Sequence, residues 1–425
     1  MGENRLGSEV STTDSVSRIR YYPLVSSTYF VEGIASVLTS GFLPVYLFIF
    51  VGLDAVSVAL YSAIAFIPWL FKPIWGFISD KYSIKLFGRD LRRRPYIALG
   101  SVLNFALLPF LVIIDPFNGG LYVTVWFFQN LGWSMLDTCV DALSVENETT
   151  RRNLLSMFLW IGSYLGTLFA GFGIGALLMS GNFLTGFVVG ALVSIITLFF
   201  VAFAPEKDVS VERHVTMDDI KDFFNKENLK DLFTNQRFVI WGLIFAAFYN
   251  IDAGMTDFFF EPWMIDKFGA TIYQVGAFIA VTNVFAIGGA VVGWVLGEKI
   301  KQIGQKKVLS IALVCYAVGY ALSASVVTLN ELYYVWVFVF LAVGFGRVAQ
   351  ISIFMDITKP KVAGVMFAIY MAFLNIGTFV GRGLAGLVVP ALGMEGTFFL
   401  VAFFMLLLII PVNMIDTEKA RSMYL

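Results

Sequence analysis

The sequence predicts an all-α polytopic membrane protein whose twelve transmembrane helices form two bundles of six. Three observations lead to this prediction. Hydrophobic residues make up 58% of the 425 residues, and the mean hydropathy is +0.80, which is more apolar surface than a soluble domain of this length can bury. Long apolar runs alternate with polar connections along the whole chain. Nearly all Lys and Arg residues fall in every second connection.

Each apolar run is long enough to cross a membrane, because about 20 residues of α-helix span the ~30 Å hydrocarbon layer. Several runs exceed this minimum, which predicts tilted helices or ends that protrude into water. Segments 1 to 12 are predicted at residues 22–50, 55–80, 95–114, 119–143, 153–180, 183–204, 237–264, 271–297, 306–327, 331–355, 361–388 and 394–415.

The charge distribution predicts the orientation. The N-terminal tail, every even-to-odd loop and the C-terminal tail are basic, whereas the opposite set of loops holds Lys267 as its single basic residue. Basic loops stay in the cytoplasm, so both termini are expected there and the protein is expected in the plasma (cell inner) membrane. The polar first twenty residues do not resemble a cleaved signal peptide, so segment 1 is expected to be retained.

One long polar connection divides the chain into two similar halves. The predicted parts are a cytoplasmic tail (1–20), a six-helix bundle (21–204), a cytoplasmic loop (205–236), a second bundle (237–415) and a C-terminal tail (416–425). Gly52 and Gly76 of segment 2 recur as Gly269 and Gly293 around segment 8, both at an offset of 217 residues. Parallel six-helix repeats are typical of secondary transporters, with the substrate site near mid-membrane between them. Chance similarity among Gly-rich apolar helices is the alternative.

The long loop contains a short sequence with helical character. Thr216 suits a helix N-cap, and Asp218 and Asp219 suit the first turn of that helix. This helix is expected either to lie on the membrane surface through Ile220 and Phe223 or to be a solvated linker.

The connection between segments 2 and 3 reads GFISDKYSIKLFGRDLRRRPY. It resembles the loop motif of the major facilitator superfamily, through Gly76, Asp80, Lys81, Gly88, Arg89 and the basic run that contains Arg93. The stretch 82–86 makes the spacing longer than usual, and the second copy has Gly297 in the position of the acid. The resemblance implies the major facilitator fold and a cytoplasmic latch, in which Asp80 approaches the start of segment 11 near Lys361 to Gly364.

Two further resemblances are narrower. IPWLFKPIWGFISD in segment 2 and LDTCVDALSVE in segment 4 resemble the folate–biopterin transporter branch and the related carriers of muropeptides and acetyl-coenzyme A. GRDLRRRPYIALG resembles the corresponding loop of the sucrose and glycoside cation symporters. Both groups share the superfamily fold, and neither resemblance fixes a substrate.

Charged residues inside the predicted spans are the site candidates, because each costs roughly 2.5–3.5 kcal/mol at mid-bilayer and should face protein or water. Segments 1, 4, 7 and 10 line the central cavity in the resembled fold, and all four carry polar or charged residues. The candidates for substrate binding or coupling are Glu32, Lys72, Asp137, Asp141, Asp252, Asp257, Arg347 and Arg382.

Roles follow from the chemistry of these groups. Glu32, Asp137 and Asp252 are candidate proton carriers, since burial favours the protonated form of a carboxyl group. Arg347 is always charged and suits a carboxylate or phosphate of a substrate. Lys72 and Asp137 lie at similar predicted depth, where an ion pair would lower the burial cost of both. For every candidate, the alternative is a structural ion pair or a side chain that reaches the headgroups.

Several function classes lack support in the sequence. We find no Gly-rich Lys-Ser/Thr loop for ATP, no Cys/His cluster for a metal and no basic tract for nucleic acid. The prediction is a non-enzymatic secondary active transporter, a monomer in the lipid bilayer with a small polar or anionic substrate and no cofactor. Its coupling ion is expected to be H⁺, with Na⁺ as the alternative. A sugar or glycoside symporter and a non-transporting assembly factor are the alternative functions.

Overall fold

The protein is a bundle of long helices in its computed structural model. The structure describes residues 10–424, apart from 54, 87, 149–150, 179–180, 207–233, 300–303 and 360–362. In these residues, eleven helices are long and apolar enough to cross a membrane. The 29-residue helix Gly119–Asn147 is long enough to be the twelfth spanning helix. It is less apolar than the others because it carries the polar residues of predicted segment 4. The all-α polytopic fold is therefore confirmed.

The first six transmembrane helices are named TM1 to TM6, and several are interrupted. TM1 begins at Val10, well before the predicted residue 22, and changes to π-helix over Val37–Phe42 and Tyr46–Val51. The others are TM2 (Ala55–Leu70 and Lys72–Lys81), TM3 (Arg94–Leu107 and Leu108–Val112), TM4 (Gly119–Asn147), TM5 (Arg152–Leu168, Phe169–Ile174 and Gly175–Leu178) and TM6 (Phe183–Ser194 and Ile196–Phe203).

TM7 to TM12 form the second half. They are TM7 (Arg237–Tyr249 and Ile251–Phe268), TM8 (Ile272–Trp294 and Val295–Lys299), TM9 (Gly304–Ser323) and TM10 (Leu329–Asp356), followed by TM11 and TM12. TM11 and TM12 share the helical stretch Ala363–Leu407, which is broken at Gly393, and TM12 continues with the helix Ile409–Met414. A C-terminal helix, Thr417–Tyr424, follows within the predicted tail. The helix predicted in the long loop, from Thr216, lies outside the described residues.

The turns show that the two halves share one backbone plan. Six glycines in the described residues have positive φ, a conformation that costs glycine little because it lacks Cβ. They form three pairs at offsets of 217, 216 and 212 residues: Gly52 with Gly269, Gly88 with Gly304, and Gly181 with Gly393. Each pair occupies corresponding turns, which supports the repeat that the sequence predicts.

Small residues let helices approach closely at corresponding places in each half. A Cβ atom on Gly166 of TM5 would lie 1.9 Å from the carbonyl oxygen of Phe30 in TM1. A Cβ on Gly254 of TM7 would lie 2.2 Å from the carbonyl oxygen of Thr378 in TM11. Between the halves, TM5 packs against TM8 and TM10, while TM2 and TM4 pack against TM11. The central space is thus enclosed by helices of both halves.

Candidate functional site

Four charged side chains and one tyrosine form a cluster inside the N-terminal half, here called the acidic cluster: Glu32, Lys72, Asp137, Asp141 and Tyr29. Lys72 is 1% exposed, forms an ion pair with Asp137, and lies 3.8 Å from the carboxylate of Asp141. The Tyr29 hydroxyl donates to Asp141, and Glu32 lies within electrostatic reach of both aspartates. The structure therefore brings together four of the predicted site residues, including the Lys72–Asp137 pair.

Lys72 reaches TM4 because TM2 is broken beside it. Pro68 and Pro73 lie either side of this point, and the helix restarts at Lys72 after a turn at Phe71. Proline removes a helical hydrogen bond and kinks the helix, which re-aims the following side chains. The ammonium group of Lys72 also lies 5.3 Å from the centre of the Trp69 ring. The prolines of segment 2 thus position the single cation of the acidic cluster.

A second cluster, here called the Arg347 cluster, lies where TM7 and TM10 meet TM5. Its members are Arg347, Asn250, Gln350, Tyr249, Trp160 and Tyr164. The Arg347 guanidinium donates to the side-chain oxygens of Asn250 (2.9 Å) and Gln350 (3.2 Å). It also lies over the rings of Tyr249 and Trp160, at 4.9 and 5.3 Å from their centres. Within the described residues, no carboxylate forms an ion pair with Arg347.

A break in TM7 lies beside this cluster. The helix Arg237–Tyr249 ends at Asn250, and the next helix begins at Ile251. Non-helical backbone at membrane depth is tolerated where it is buried in protein or lines a cavity. Asp252 follows the break and accepts a hydrogen bond from the Tyr320 hydroxyl at 3.2 Å. The break therefore places Asn250 against Arg347 and Asp252 against TM9.

Three hydrogen-bond donors of the Arg347 cluster are buried without an acceptor in the described part of the chain: Trp160 Nε1, the Tyr164 hydroxyl and Gln350 Nε2. An unsatisfied buried donor costs about 1–3 kcal/mol, so such groups are rare unless something else supplies the acceptor. With Arg347 they form a set of donors within one cluster. The arrangement suits a ligand that carries several acceptor oxygens or a negative charge.

Trp160 connects the two clusters. Tyr164 stacks on its ring with a centroid distance of 5.7 Å, and Tyr29 meets its edge at 6.4 Å. Trp160 thus contacts Arg347 of the C-terminal half and Tyr29 of the acidic cluster. A movement of this ring on ligand binding would reach Asp141 through a single side chain.

The remaining candidates lie toward the predicted outer face. Arg382 lies 4.8 Å from the ring centre of Phe66 and lines a small polar cavity with Asn130 and Ser40. The side chain of Asp257 lies outside the described part of the structure. Neither Arg382 nor Asp257 is brought to the acidic cluster or the Arg347 cluster by the contacts described.

The motif residues of the first cytoplasmic loop form a separate network. Arg93 pairs with Asp80 and with Glu146, the latter at 2.6 Å. Burial would lower the pKa of the Arg93 guanidinium, but these two carboxylates raise it above its ordinary value. Gly76 is buried in TM2, and Lys81 lies at the end of this helix. The stretch 82–86, which makes the motif longer than usual, contributes to a β-hairpin. Its strands are Ile84–Leu86 (β1) and Arg89–Leu91 (β2), and Gly88 lies in the turn.

The latch at TM11 stays a prediction. Residues 360–362 and the side chains that follow them lie outside the described part, so the contact of Asp80 with Lys361 to Gly364 is not tested. In this structure Asp80 pairs with Arg93 of its own half.

Sequence reasoning missed the cytoplasmic ion pairs of Asp356, one of which joins the two halves. Asp356, at the end of TM10, pairs with Arg152 of TM5 at 2.8 Å and with Arg421 of the C-terminal helix at 2.7 Å. Ser156 and Ser352 make a second contact between halves at 3.1 Å. In the sequence, Arg152 reads as one of many cytoplasmic charges, and only its position at a predicted helix start sets it apart.

Comparison with known proteins identifies the family. A sequence profile of the Major Facilitator Superfamily matches residues 25–349 and 243–422, which together span most of the chain. A probable folate-biopterin transporter 4 of Arabidopsis thaliana is 32% identical over 31% of this chain and 28% of its own length. The putative transporter AmpG 3 of Rickettsia prowazekii is 22% identical over 82% of this chain and 85% of its own.

Solved structures share the fold. The human organic anion transporter MFSD10 superposes with a TM-score of 0.73 at 13% identity, covering 93% of this chain and 99% of that one. The proton:xylose symporter XylE gives the same TM-score and identity over 97% and 100%. The Arabidopsis relative is matched over less than a third of its length, so its substrates do not transfer directly. The proteins that it resembles are membrane transporters, and the chain belongs to the Major Facilitator Superfamily.

Proposed function

We propose that the protein is a secondary active transporter of a small organic anion or polar acceptor-rich solute, that it works by alternating access of its two halves, and that it is coupled to protons. The observation that carries the proposal is the Arg347 cluster, with a half-buried cation whose hydrogen-bond partners are neutral and three buried donors that have no acceptor in the described residues. A ligand carboxylate would satisfy these donors and compensate the charge.

The ligand position lies between the halves. Trp160 and Tyr164 belong to the N-terminal half, whereas Arg347, Asn250 and Gln350 belong to the C-terminal half. A substrate bound to both sets would be gripped and released as the halves rock, which is what alternating access requires. The cytoplasmic ion pair of Arg152 with Asp356 supports a state closed on that side.

The relatives extend the proposal to a substrate class. Four of them are named as folate-biopterin transporters or probable ones, from Arabidopsis thaliana and a Synechocystis strain. A folate carries carboxylates that match Arg347, and a pterin carries ring acceptors that match the unpartnered donors. Solutes of this kind are therefore the first to test.

The acidic cluster suits proton coupling. One cation, Lys72, faces the carboxyl groups of Glu32, Asp137 and Asp141, so full ionisation would leave excess negative charge in a buried place. Burial and neighbouring negative charge both favour the protonated form of a carboxyl group. A carboxyl group whose water access changes between states would take up a proton on one side and release it on the other.

The test begins with thermal stabilisation of the purified protein by pterins, folates, sugars, peptides and organic anions. Uptake of the best ligand into proteoliposomes then compares the native protein with Arg347→Ala and Arg347→Lys. We expect Arg347→Ala to weaken binding by roughly 10- to 100-fold, as for loss of a charge-assisted hydrogen bond, and Arg347→Lys to weaken it less because the charge remains.

Three outcomes would contradict parts of this proposal. Unchanged affinity in Arg347→Ala would remove the anion site. Ligand binding without uptake of any solute would favour a non-transporting assembly factor, and accumulation that follows sodium rather than pH would favour a sodium-coupled symporter.

A further inference from the structure

The break in TM2 leaves one backbone carbonyl without a partner in its own helix. In an α-helix, the carbonyl oxygen of Trp69 would accept from the backbone N–H four residues on, but that residue is Pro73, which has no N–H. The turn is closed by bonds from Phe71 N to the Pro68 oxygen (3.2 Å) and from Ile74 N to the Phe71 oxygen (2.9 Å). Neither bond involves the Trp69 oxygen. A carbonyl that proline frees at membrane depth needs a donor from elsewhere.

The donor comes from the other half of the protein. The side-chain amide of Asn375, on TM11, donates to the Trp69 carbonyl oxygen at 3.1 Å. TM11 packs against both pieces of TM2, so the packing of the two halves brings the amide to the break. Asn375 thus completes the hydrogen bonding of a helix that belongs to the N-terminal half.

Trp69 also supports Lys72, the cation of the acidic cluster. The Trp69 indole Nε1 donates to Asn130 Oδ1 of TM4 at 2.7 Å, and the Lys72 ammonium lies 5.3 Å from the centre of the Trp69 ring. Lys72 begins the second piece of TM2, three residues after Trp69, and pairs with Asp137. The bond from Asn375 therefore acts on the turn that aims Lys72 at its partner.

The same stretch of TM11 touches the break in TM7. A Cβ atom on Gly377 would lie 2.8 Å from the carbonyl oxygen of Ala247 and 3.5 Å from the backbone nitrogen of Asn250. Asn250 is the hydrogen-bond partner of Arg347. Residues two apart on an α-helix lie about 200° apart around its axis, so Asn375 and Gly377 face different neighbours. One turn of TM11 thus contacts the broken helices of both halves, TM2 and TM7.

We infer that Asn375 is a positioning residue for Lys72, through which the hold of this cation on Asp137 depends on the C-terminal half. When TM11 moves away from TM2, the Trp69 carbonyl loses its donor, the turn at Phe71 loosens and the ion pair weakens. The Asn375 amide is neutral and makes a single bond, so the contact can break and reform as the halves move.

The consequence for protons rests on the proposed function, whereas the positioning of Lys72 does not. The titratable groups around Lys72 are Asp137 and Asp141 of TM4 and Glu32 and Tyr29 of TM1. A nearby cation favours the ionised form of a carboxyl group, so a weaker ion pair favours proton uptake. Movement of TM11 would in this way change the proton occupancy of the acidic cluster.

Hydrogen–deuterium exchange of the purified full-length protein tests the bond without any substrate. Asn375→Ala should speed amide exchange in peptides that cover residues 70–76 by roughly 3- to 10-fold, as for loss of one hydrogen bond. Pro73→Ala supplies the missing N–H, so in that background Asn375→Ala should change the exchange by less than about 2-fold. The matched control is Asn283→Ala, because Asn283 is buried and its amide donates to Ile279 of its own helix, and it should leave this exchange unchanged.

A double-mutant cycle shows whether the bond acts on Lys72. Thermal unfolding midpoints are measured for Asn375→Ala in the native protein and in the Lys72→Met, Asp137→Asn variant. The loss of midpoint should fall by about half or more when the ion pair is absent, because contacts within one network are not additive. Asn283→Ala should cost the same in both backgrounds. Equal losses from Asn375→Ala in both, or unchanged exchange at residues 70–76, would overturn the positioning role.

Proteoliposomes test the link to protons separately. The readout is the ratio of pH-driven accumulation to counterflow for radiolabelled folate, which should fall by about 3-fold or more in Asn375→Ala and stay unchanged in Asn283→Ala. An unchanged ratio in Asn375→Ala would contradict the link to protons. If the native protein accumulates no folate with a pH gradient, the proposed coupling fails, and faster exchange at residues 70–76 would still support the hold of Asn375 on TM2.

Discussion

The acidic cluster and the Arg347 cluster handle buried charge in opposite ways. In the first, Lys72 has two aspartates of the same half within 4 Å, so the cation and its ion-pair partners all belong to the N-terminal half. In the second, the hydrogen-bond partners of Arg347 in the described residues are neutral, and three donors beside it have no acceptor there. The difference agrees with the two proposed tasks: the acidic cluster pairs opposite charges within one half, whereas the Arg347 cluster presents donors that a ligand could satisfy.

The largest effect that tests this comparison is on stability. Lys72→Ala would leave Asp137 and Asp141 buried without their cation, and breaking a buried ion pair costs about 3–5 kcal/mol. We expect a large fall in the thermal unfolding midpoint of Lys72→Ala in detergent. Arg347→Ala should change the midpoint less, because Arg347 forms no ion pair within 4 Å in the described residues and Asp252, within its electrostatic reach, keeps its hydrogen bond from Tyr320.

A compensating variant sharpens this prediction. Lys72→Met combined with Asp137→Asn removes the closest charge pair together, so most of the lost stability should return. If Lys72→Ala and Arg347→Ala destabilise the protein equally, the two clusters do not differ in the way described.

A smaller effect is expected at the cytoplasmic ion pairs, where Asp356 has one buried and one exposed partner. The side chain of Arg152 is 3% exposed and joins the two halves, whereas that of Arg421 is 51% exposed. Exposed ion pairs contribute about 0–1 kcal/mol, so Arg421→Ala should increase the opening of the cytoplasmic side only slightly. Arg152→Ala should open it more.

The measurement is the labelling rate of a cysteine placed at Ser156, in a background with Cys139 and Cys315 replaced by alanine. Ser156 is buried between the halves, so labelling by a membrane-permeant maleimide reports opening on the cytoplasmic side. We expect at most about a 5-fold faster rate for Arg421→Ala. A larger increase in the labelling rate from Arg421→Ala than from Arg152→Ala would contradict the view that the Arg152–Asp356 pair contributes more to closure of the cytoplasmic side.

Much of the fold could be predicted from the sequence because the membrane imposes simple rules. Apolar runs of sufficient length mark the helices, and the glycines before segments 2 and 8 mark the repeat. The early start of TM1 at Val10 was missed, since residues 10–20 are polar and give no apolar signal. Helical residues that extend beyond the bilayer need not be apolar, so hydropathy does not mark where such a helix begins.

The site could be predicted only in part. Arg347, Asp137 and Lys72 stand out because charge inside a span is costly. Trp160 and Tyr164 do not, because an aromatic residue in a membrane helix gives no sign of whether it faces lipid, core or a cavity. They stand out because their donor groups have no acceptor in the described residues, and a sequence pattern does not show whether a donor is paired.

The most direct test of the account separates coupling from substrate exchange in proteoliposomes. Accumulation driven by an imposed pH gradient and counterflow at equal pH are measured for Glu32→Gln, Asp137→Asn and Asp252→Asn, with Asp141→Asn as the neighbouring comparison. The account predicts that at least one of the first three variants loses accumulation and keeps counterflow, because exchange needs the Arg347 cluster but no net proton movement. If all three still accumulate substrate with the pH gradient, the protons are carried elsewhere and these acids are structural.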